Sequence, residues 1–375
     1  MKKPHHVHPA IFELSKRFSS VLLVGPPLSE KVIRLVEHLF TPEEAEVALA
    51  LPNFFGKPVE SIARDLKRDV ADVQAYLDLM TEKRVILKVM KDGKPVYALV
   101  PLAPGMFEMA LMRGDDTPWH RRYAELFEDL FSTGYVRDIA GRKLPGVRNI
   151  PLEKALPSES QVLDSDKFSE LLANHEHFAV INVCQCRQAR NFIEHECKRS
   201  RPQDGCLLFG SFAQSASAGG TARAVSREEM LDIAQERFEK KLVFLTGNVK
   251  FSSPNAICTC CDCCCEFLRS VNEFGAKSLL APSHFIAFVD ESLCNNCGKC
   301  VEVCNTHAHT MAGKVHRYDS GKCIGCSYCV PSCKKKAISM KENQAYIPPS
   351  EDFRKLIIKL LPQATIAAIK VRFNR

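Results

Sequence analysis

Residues 290–309 read DESLCNNCGKCVEVCNTHAH, and residues 319–338 read DSGKCIGCSYCVPSCKKKAI. Each stretch contains C-x2-C-x2-C-x3-C, and a constant offset of 29 residues carries Cys294, Cys297, Cys300 and Cys304 onto Cys323, Cys326, Cys329 and Cys333. Asp290 and Ala308 map onto Asp319 and Ala337 at the same offset, so the segment is an internal duplication.

The spacing has a physical reason. Three cysteines two residues apart let a short loop curl round one face of a 4Fe–4S cube, and a fourth cysteine, opening a helix, points at the other cube. Paired zinc knuckles fit less well, because zinc usually takes two ligand pairs well separated in sequence. The segment resembles the two-cluster bacterial ferredoxins. That resemblance implies one cluster held by Cys294, Cys297, Cys300 and Cys333, and a second held by Cys323, Cys326, Cys329 and Cys304. The proline usual after the fourth cysteine is Asn305 in one copy and Lys334 in the other. Proline there is not a ligand, so both clusters are still expected. The basic run Lys334–Lys336 reads either as a solvated helix start or as a docking patch for an acidic partner.

The chain has 375 residues and 18 cysteines, none of them before Cys184. Ten lie outside the duplicated run. Residues 178–210 read FAVINVCQCRQARNFIEHECKRSRPQDGCLLFG. The apolar start reads as a buried strand ending in Cys184-x-Cys186-Arg187, with Cys197 and Cys206 in a following loop. These four thiols match the ligand count of one more 4Fe–4S cluster, with Arg187 offsetting thiolate charge. His195 is the candidate non-cysteine ligand, though a surface role is favoured. Residues 257–270 read ICTCCDCCCEFLRS, and six of the eight positions from Cys258 to Cys265 are cysteine. As a helix, this stretch places Cys258, Cys261 and Cys265 on one face and Cys260, Cys263 and Cys264 on another. Bare thiolates so crowded repel one another, and a bound metal removes that cost. All ten are therefore expected to ligate metal, in one or two further iron–sulfur centres or in one larger, non-cubane cluster. Buried free thiols and a reactive dithiol or persulfide carrier are the alternatives. CQCR at 184–187, CLLFG at 206–210 and ICTCCDCCC at 257–265, followed by the ferredoxin pair, resemble a wider group of multi-cluster iron–sulfur proteins of anaerobes. That resemblance implies low-potential electron transfer.

Composition agrees with a soluble globular chain: 46% hydrophobic, 25% charged, net charge +7. The charge is too mild to mark a nucleic-acid binder. No apolar run reaches the length of a membrane span, and the N-terminus lacks the apolar core of a secretory signal. The expected location is the cytoplasm, where thiols stay reduced and cysteines serve metals rather than disulfides.

The front half shows helical periodicity over 32–51, with a Thr41-Pro42 helix start. A short helix over 58–66, a turn at 67–70 and a helix over 71–83 follow. Lys91-Asp-Gly-Lys94 then reads as a hairpin turn between 86–89 and 96–100. This order resembles a winged helix-turn-helix. Its second helix carries Asp72, Asp78 and Glu82 with Gln74 as the one amide reader, which disfavours phosphate contact. Residues 105–175 read as helical and connecting, with starts at Thr117-Pro118 and Ser165. Ser226-Arg-Glu-Glu229 reads as a capping box, Leu242–Thr246 as a strand, and Gly219-Gly220 as a flexible loop. The tail has an apolar stripe (Phe353, Leu356, Ile357, Leu360) that packs on its own domain, on a partner or on a membrane surface.

The expected fold class is α+β and multidomain: a tail (1–27), a winged-helix-like domain (28–104), a helical connector (105–175), a cysteine-rich α+β domain (176–288), a two-cluster ferredoxin-like domain (289–341) and a C-terminal helix and tail (342–375). The expected function is an electron-transfer relay through 4Fe–4S clusters to or within an oxidoreductase complex, with a redox protein or oxidoreductase subunits as partner. No nucleophile–base pair or phosphate loop marks a stand-alone enzyme. The alternatives are an oxidoreductase with its own catalytic cluster at 258–265, and a redox-sensing winged-helix regulator.

Overall fold

The computed structural model describes residues 4–20, 23, 25–137, 145–151, 168–250, 255–352, 355–356 and 359. They divide into two compact units. The first holds residues up to 137 together with 192–194, and the second holds the rest.

The first unit is helical with one hairpin. Helix α1 (Pro9–Phe18) starts at His8, whose ring nitrogen accepts from the amide of Ala10. It buries Ile11, Phe12, Leu14 and Phe18, and packs on α2 (Glu30–Leu39) and α3 (Pro42–Leu49). Residues 1–27 are therefore not simply a tail, because four apolar side chains on one helical face cannot stay in water. Thr41 and Glu44 close a full capping box at α3. Helix α4 (Val59–Leu66) ends at Lys67 in the left-handed region, and α5 (Val70–Glu82) follows. Strands β1 (Leu87–Lys91) and β2 (Lys94–Ala98) pair antiparallel across Asp92 and Gly93. Both turn residues have positive φ, 51° and 76°, as the Asp-Gly signal requires. Helices α6 (Phe107–Leu111) and α7 (Pro118–Phe131) complete the unit, and Thr117 caps α7 as expected.

The second unit is built on a six-stranded sheet in the order β3-β7-β8-β5-β4-β6, every pairing antiparallel. The strands are β3 (Val147–Ile150), β4 (Phe178–Ile181), β5 (Leu207–Phe209), β6 (Ala222–Val225), β7 (Val243–Gly247) and β8 (Asn255–Cys260). The expectation of a helical connector over 105–175 thus misses the edge strand β3, whose four residues are too few to show a period. One face of the sheet packs Phe178, Leu207, Phe209, Phe244 and Ile257 against α8 (Phe168–Ala173) and α11 (Arg227–Glu239). Ser226 caps α11, but the capping box is only half made, because the Glu229 carboxylate pairs with Arg223 at 2.6 Å. Between β4 and β6 lie α9 (Gln185–Phe192) and α10 (Ser211–Ala218). Gly219-Gly220, expected as a flexible loop, is a tight turn from α10 into β6, with Gly220 at φ +68°.

After α12 (Glu266–Phe274), the duplicated run folds as two copies of one pattern. Strand β9 (Phe285–Val289) pairs with β12 (Ile338–Glu342), and β10 (His309–Ala312) with β11 (Val315–Tyr318). The short helices α13 (Lys299–Val303) and α14 (Cys329–Ser332) carry the third cysteine of each copy and end just before the fourth. The fourth cysteine therefore ends a helix, where a helix start was expected. The Ser165 cap lies outside the described residues, as does most of the apolar tail stripe.

Candidate metal centres

The duplication is visible in the backbone. Asn296 and Gly325 occupy equivalent positions and have φ of 59° and 73°. Gly298 and Ser327 have 75° and 66°, and His307 and Lys336 have 53° and 54°. Left-handed residues between closely spaced cysteines are what curl each loop. At Gly325 a Cβ would come within 2.2 Å of the Phe285 carbonyl oxygen, so glycine is required there. The fourth sulfur of each copy accepts a backbone amide: Ala308 to Cys304 at 3.2 Å and Ala337 to Cys333 at 3.3 Å. The Asp290 amide donates to the Ala337 carbonyl and the Asp319 amide to the Ala308 carbonyl, each at 2.8 Å, so each copy closes the other.

Cys294, Cys297, Cys300 and Cys333 line one cavity, together with His316 and Lys335. Cys304, Cys323 and Cys326 all act electrostatically on the buried Cys329. Burial pushes the Cys300 thiol up to about 11 and raises Cys329 well above the ordinary thiol value. These donor sets fit 4Fe–4S clusters: each has four thiols from two loops and an amide donor to one sulfur, and the first lines a cavity. The first quartet holds the exposed Cys297 and the buried Cys300, whereas the second holds the buried Cys329 and no exposed member. His309 and His316 were not legible as site residues. Their rings stack, Nδ1 of His309 lies 3.0 Å from Nε2 of His316, and Nδ1 of His316 lies 3.9 Å from the Cys294 sulfur. Burial, with the neighbouring His316, lowers His309 to about 4. The hairpin register pairs His309 with Tyr318 and Met311 with His316, which makes the two histidines diagonal neighbours on one face.

The ICTCCDCCC stretch is not a helix. Cys258 and Cys260 lie on β8, Cys261 to Cys264 turn, and Cys265 leads into α12. Alternation along the strand puts Cys258 and Cys260 on one face, opposite Leu245 and Val243 of β7, while Ile257 enters the other core. This regroups the thiols. Cys184 and Cys186 at the start of α9, and Cys206 before β5, join Cys258, Cys260 and Cys265. Within this group Cys184 and Cys186, Cys206 and Cys258, and Cys265 with both Cys186 and Cys260 shift one another's thiol equilibria, as closely spaced thiols do. The bond from Cys186 and the charge of Arg187 lower Cys184 to about 7. Cys197 leaves this company and meets Cys261, Cys263 and Cys264, all four sulfurs lying within 4.8 Å of one another. Four neighbours in sequence, Cys184 to Cys206, thus fall into two spatial groups, because the loop after α9 carries Cys197 away and returns Cys206 to the sheet. His195 joins neither thiol group.

Arg187 is 1% exposed and holds the frame between these groups. Its guanidinium donates to the Asp204 carbonyl at 2.8 Å and to the Thr259 carbonyl at 2.6 Å. Desolvation opposes its charge, but the thiols of Cys184, Cys261, Cys197 and Cys260 together raise its pKa. Asp204 anchors the same loop to α11 through Arg237 at 2.9 Å and Lys240 at 2.7 Å.

The ferredoxin-like run docks on the sheet at named points. Asn305, fully buried, donates its side-chain amide to the Lys241 carbonyl at 3.0 Å. Asn272 donates to the Asn305 carbonyl at 2.9 Å, and the Tyr328 hydroxyl donates to the Leu242 carbonyl. Tyr328, Ile324 and Cys326 share one core with Val243, Leu245, Cys260 and Cys265.

Residues 286–334 match the family model described as a 4Fe-4S dicluster domain. No curated protein and no solved structure matches the chain. The C-terminal domain is accordingly a ferredoxin-like iron–sulfur domain, and with the cysteine groups around it the function it points to is iron–sulfur electron transfer with a redox partner. Among the described residues no helix is long and apolar enough to cross a membrane.

Proposed function

We propose that this chain is an electron relay within an oxidoreductase system. Cys294, Cys297, Cys300 and Cys333 ligate an outer 4Fe–4S cluster, and Cys304, Cys323, Cys326 and Cys329 an inner one. Cys184, Cys186, Cys206, Cys258, Cys260 and Cys265 hold a further iron–sulfur centre. When bound, the clusters supply one-electron chemistry at low potential. The residues do the rest. The amides of Ala308 and Ala337 stabilise sulfur charge, and Arg187 offsets the thiolates.

One observation carries the reading: Cys326 of the inner quartet packs in the same core as Cys260 and Cys265. The inner cluster and the six-thiol centre are then neighbours through packed protein, while the outer cluster faces solvent beside the exposed Lys334, Lys335 and Lys336. That rim suits an acidic redox partner.

The first unit reads as a winged helix-turn-helix used for docking. Gln74, the amide a DNA-reading helix would offer, is held by Asp78 at 2.9 Å and by the Tyr97 hydroxyl at 3.0 Å, which supports a role other than base reading.

The test is anaerobic purification followed by iron and sulfide analysis and a redox titration monitored by paramagnetic resonance. Two magnetically interacting clusters, plus iron in excess of about eight per chain, are expected. Zinc in place of iron at the ferredoxin cysteines would end the proposal.

A further inference from the structure

We propose that Cys197, Cys261, Cys263 and Cys264 hold a single tetrahedral divalent metal ion, zinc or ferrous iron, in an all-thiolate site that contains no inorganic sulfide. This does not rest on the relay reading, since it concerns a different set of ligands.

Sulfur spacing carries the argument. Cys197 lies 3.5 Å from Cys261 and 3.7 Å from Cys263, and Cys263 lies 3.7 Å from Cys264. Four thiolates bound to one ion at about 2.3 Å stand about 3.8 Å apart at the corners of a tetrahedron. Ligands of a 4Fe–4S cube sit on separate irons and stand farther apart, on the order of 6 Å. The same chain offers the contrast. Among the described residues, neither ferredoxin quartet is a set with all its sulfurs within 4.8 Å, whereas this one is.

The site is also built to keep its shape. Asp262, inside the Cys261–Cys264 turn, accepts from the Arg199 guanidinium at 2.7 Å, and both side chains are largely buried. Arg199 follows Cys197 by two residues, so this ion pair clamps together the two segments that bring the ligands. Cys261 and Cys264 are packed with Leu242, and all four coordination positions are taken by sulfur, which leaves no position for a substrate. Binding forms four metal–sulfur bonds, releases the thiol protons and leaves a net charge of about −2. Arg187 lies close enough to Cys197 and Cys261 to offset it.

The test uses the full-length protein purified without oxygen, with zinc, iron and acid-labile sulfide counted per chain. Cys263, at the half-buried edge of the site, is replaced in C263S. The expected result is the loss of one metal ion per chain with sulfide unchanged. A lost zinc identifies one source and a lost iron the other. Loss of about four irons with an equal loss of sulfide overturns the proposal in favour of a cube, and unchanged metal overturns it outright. Should C263S not fold, cobalt-grown wild-type protein decides. The visible bands of a tetrahedral cobalt–tetrathiolate centre support the site, and their absence sinks it. In each outcome the resonance signals of the ferredoxin pair report separately on the relay.

Discussion

The side-chain amide of Asn305 reaches the backbone carbonyl of Lys241 at 3.0 Å, from a position without solvent exposure. It stands where the ferredoxins this segment resembles have proline, and it joins the duplicated run to the sheet. Asn305→Ala leaves the Lys241 carbonyl without this donor in a buried place, at a cost of about 1–2 kcal/mol. Thermal unfolding should register that loss. Both ferredoxin clusters should remain, because no ligand has moved. A variant as stable as the parent would show that the docking bond contributes nothing.

Arg187→Met keeps much of the volume and removes the buried charge between the thiol groups. Iron at the six-thiol centre should fall while the ferredoxin signals persist, and Arg187→Lys should recover part of it. Full iron content in the methionine variant would mean that the thiolates do not need this cation.

Asp204 is opposed by burial, but hydrogen bonds from Lys240 and Ser200 and the charge of Arg237 hold its carboxyl at about 2. A depressed carboxyl stabilises the fold above its unfolded value of about 3.9, and that contribution is lost as pH falls through about 2. Asp204→Asn removes the nearer of the two carboxylates on the buried Arg237, leaving Glu236 at 3.3 Å, and should cost about 2 kcal/mol. The deficit should stay level between about pH 8 and pH 5, where the native carboxyl is fully charged. Denaturant unfolding at several pH values checks both the size and the flat profile.

His316→Ala removes the ring beside Cys294 and should move the outer cluster to lower potential, on the order of tens of millivolts, with the inner cluster little changed. A redox titration that resolves the two would show the opposite, or no shift, if His316 does not donate to the sulfur.

Metal removal should separate the two units. The first has no cysteine among its described residues, and its core is aliphatic and aromatic. Chelation should therefore expose residues after 168 to protease while a fragment spanning roughly 9–137 survives. Simultaneous digestion of both would contradict this.

The ferredoxin-like run was legible because its cysteine spacing is local. Spacing of three and four residues, repeated at a fixed offset, specifies loops that have few other ways to fold, and the Asp290/Asp319 and Ala308/Ala337 pairs already marked the copies. Helices with caps, such as α3 and α7, and the Asp-Gly hairpin were legible for the same reason: their signals sit within a few residues. What the sequence could not decide was the partition of the other ten thiols. Cys197 and Cys261 are 64 residues apart in the chain yet 3.5 Å apart in space, and no periodicity encodes that. The choice of strand over helix at Cys258–Cys260 came from pairing with Val243 and Leu245, a long-range ladder that overrides any local pattern. Local chemistry thus marked this chain as one that gathers metal, and only the tertiary sheet decided which sulfurs lie together.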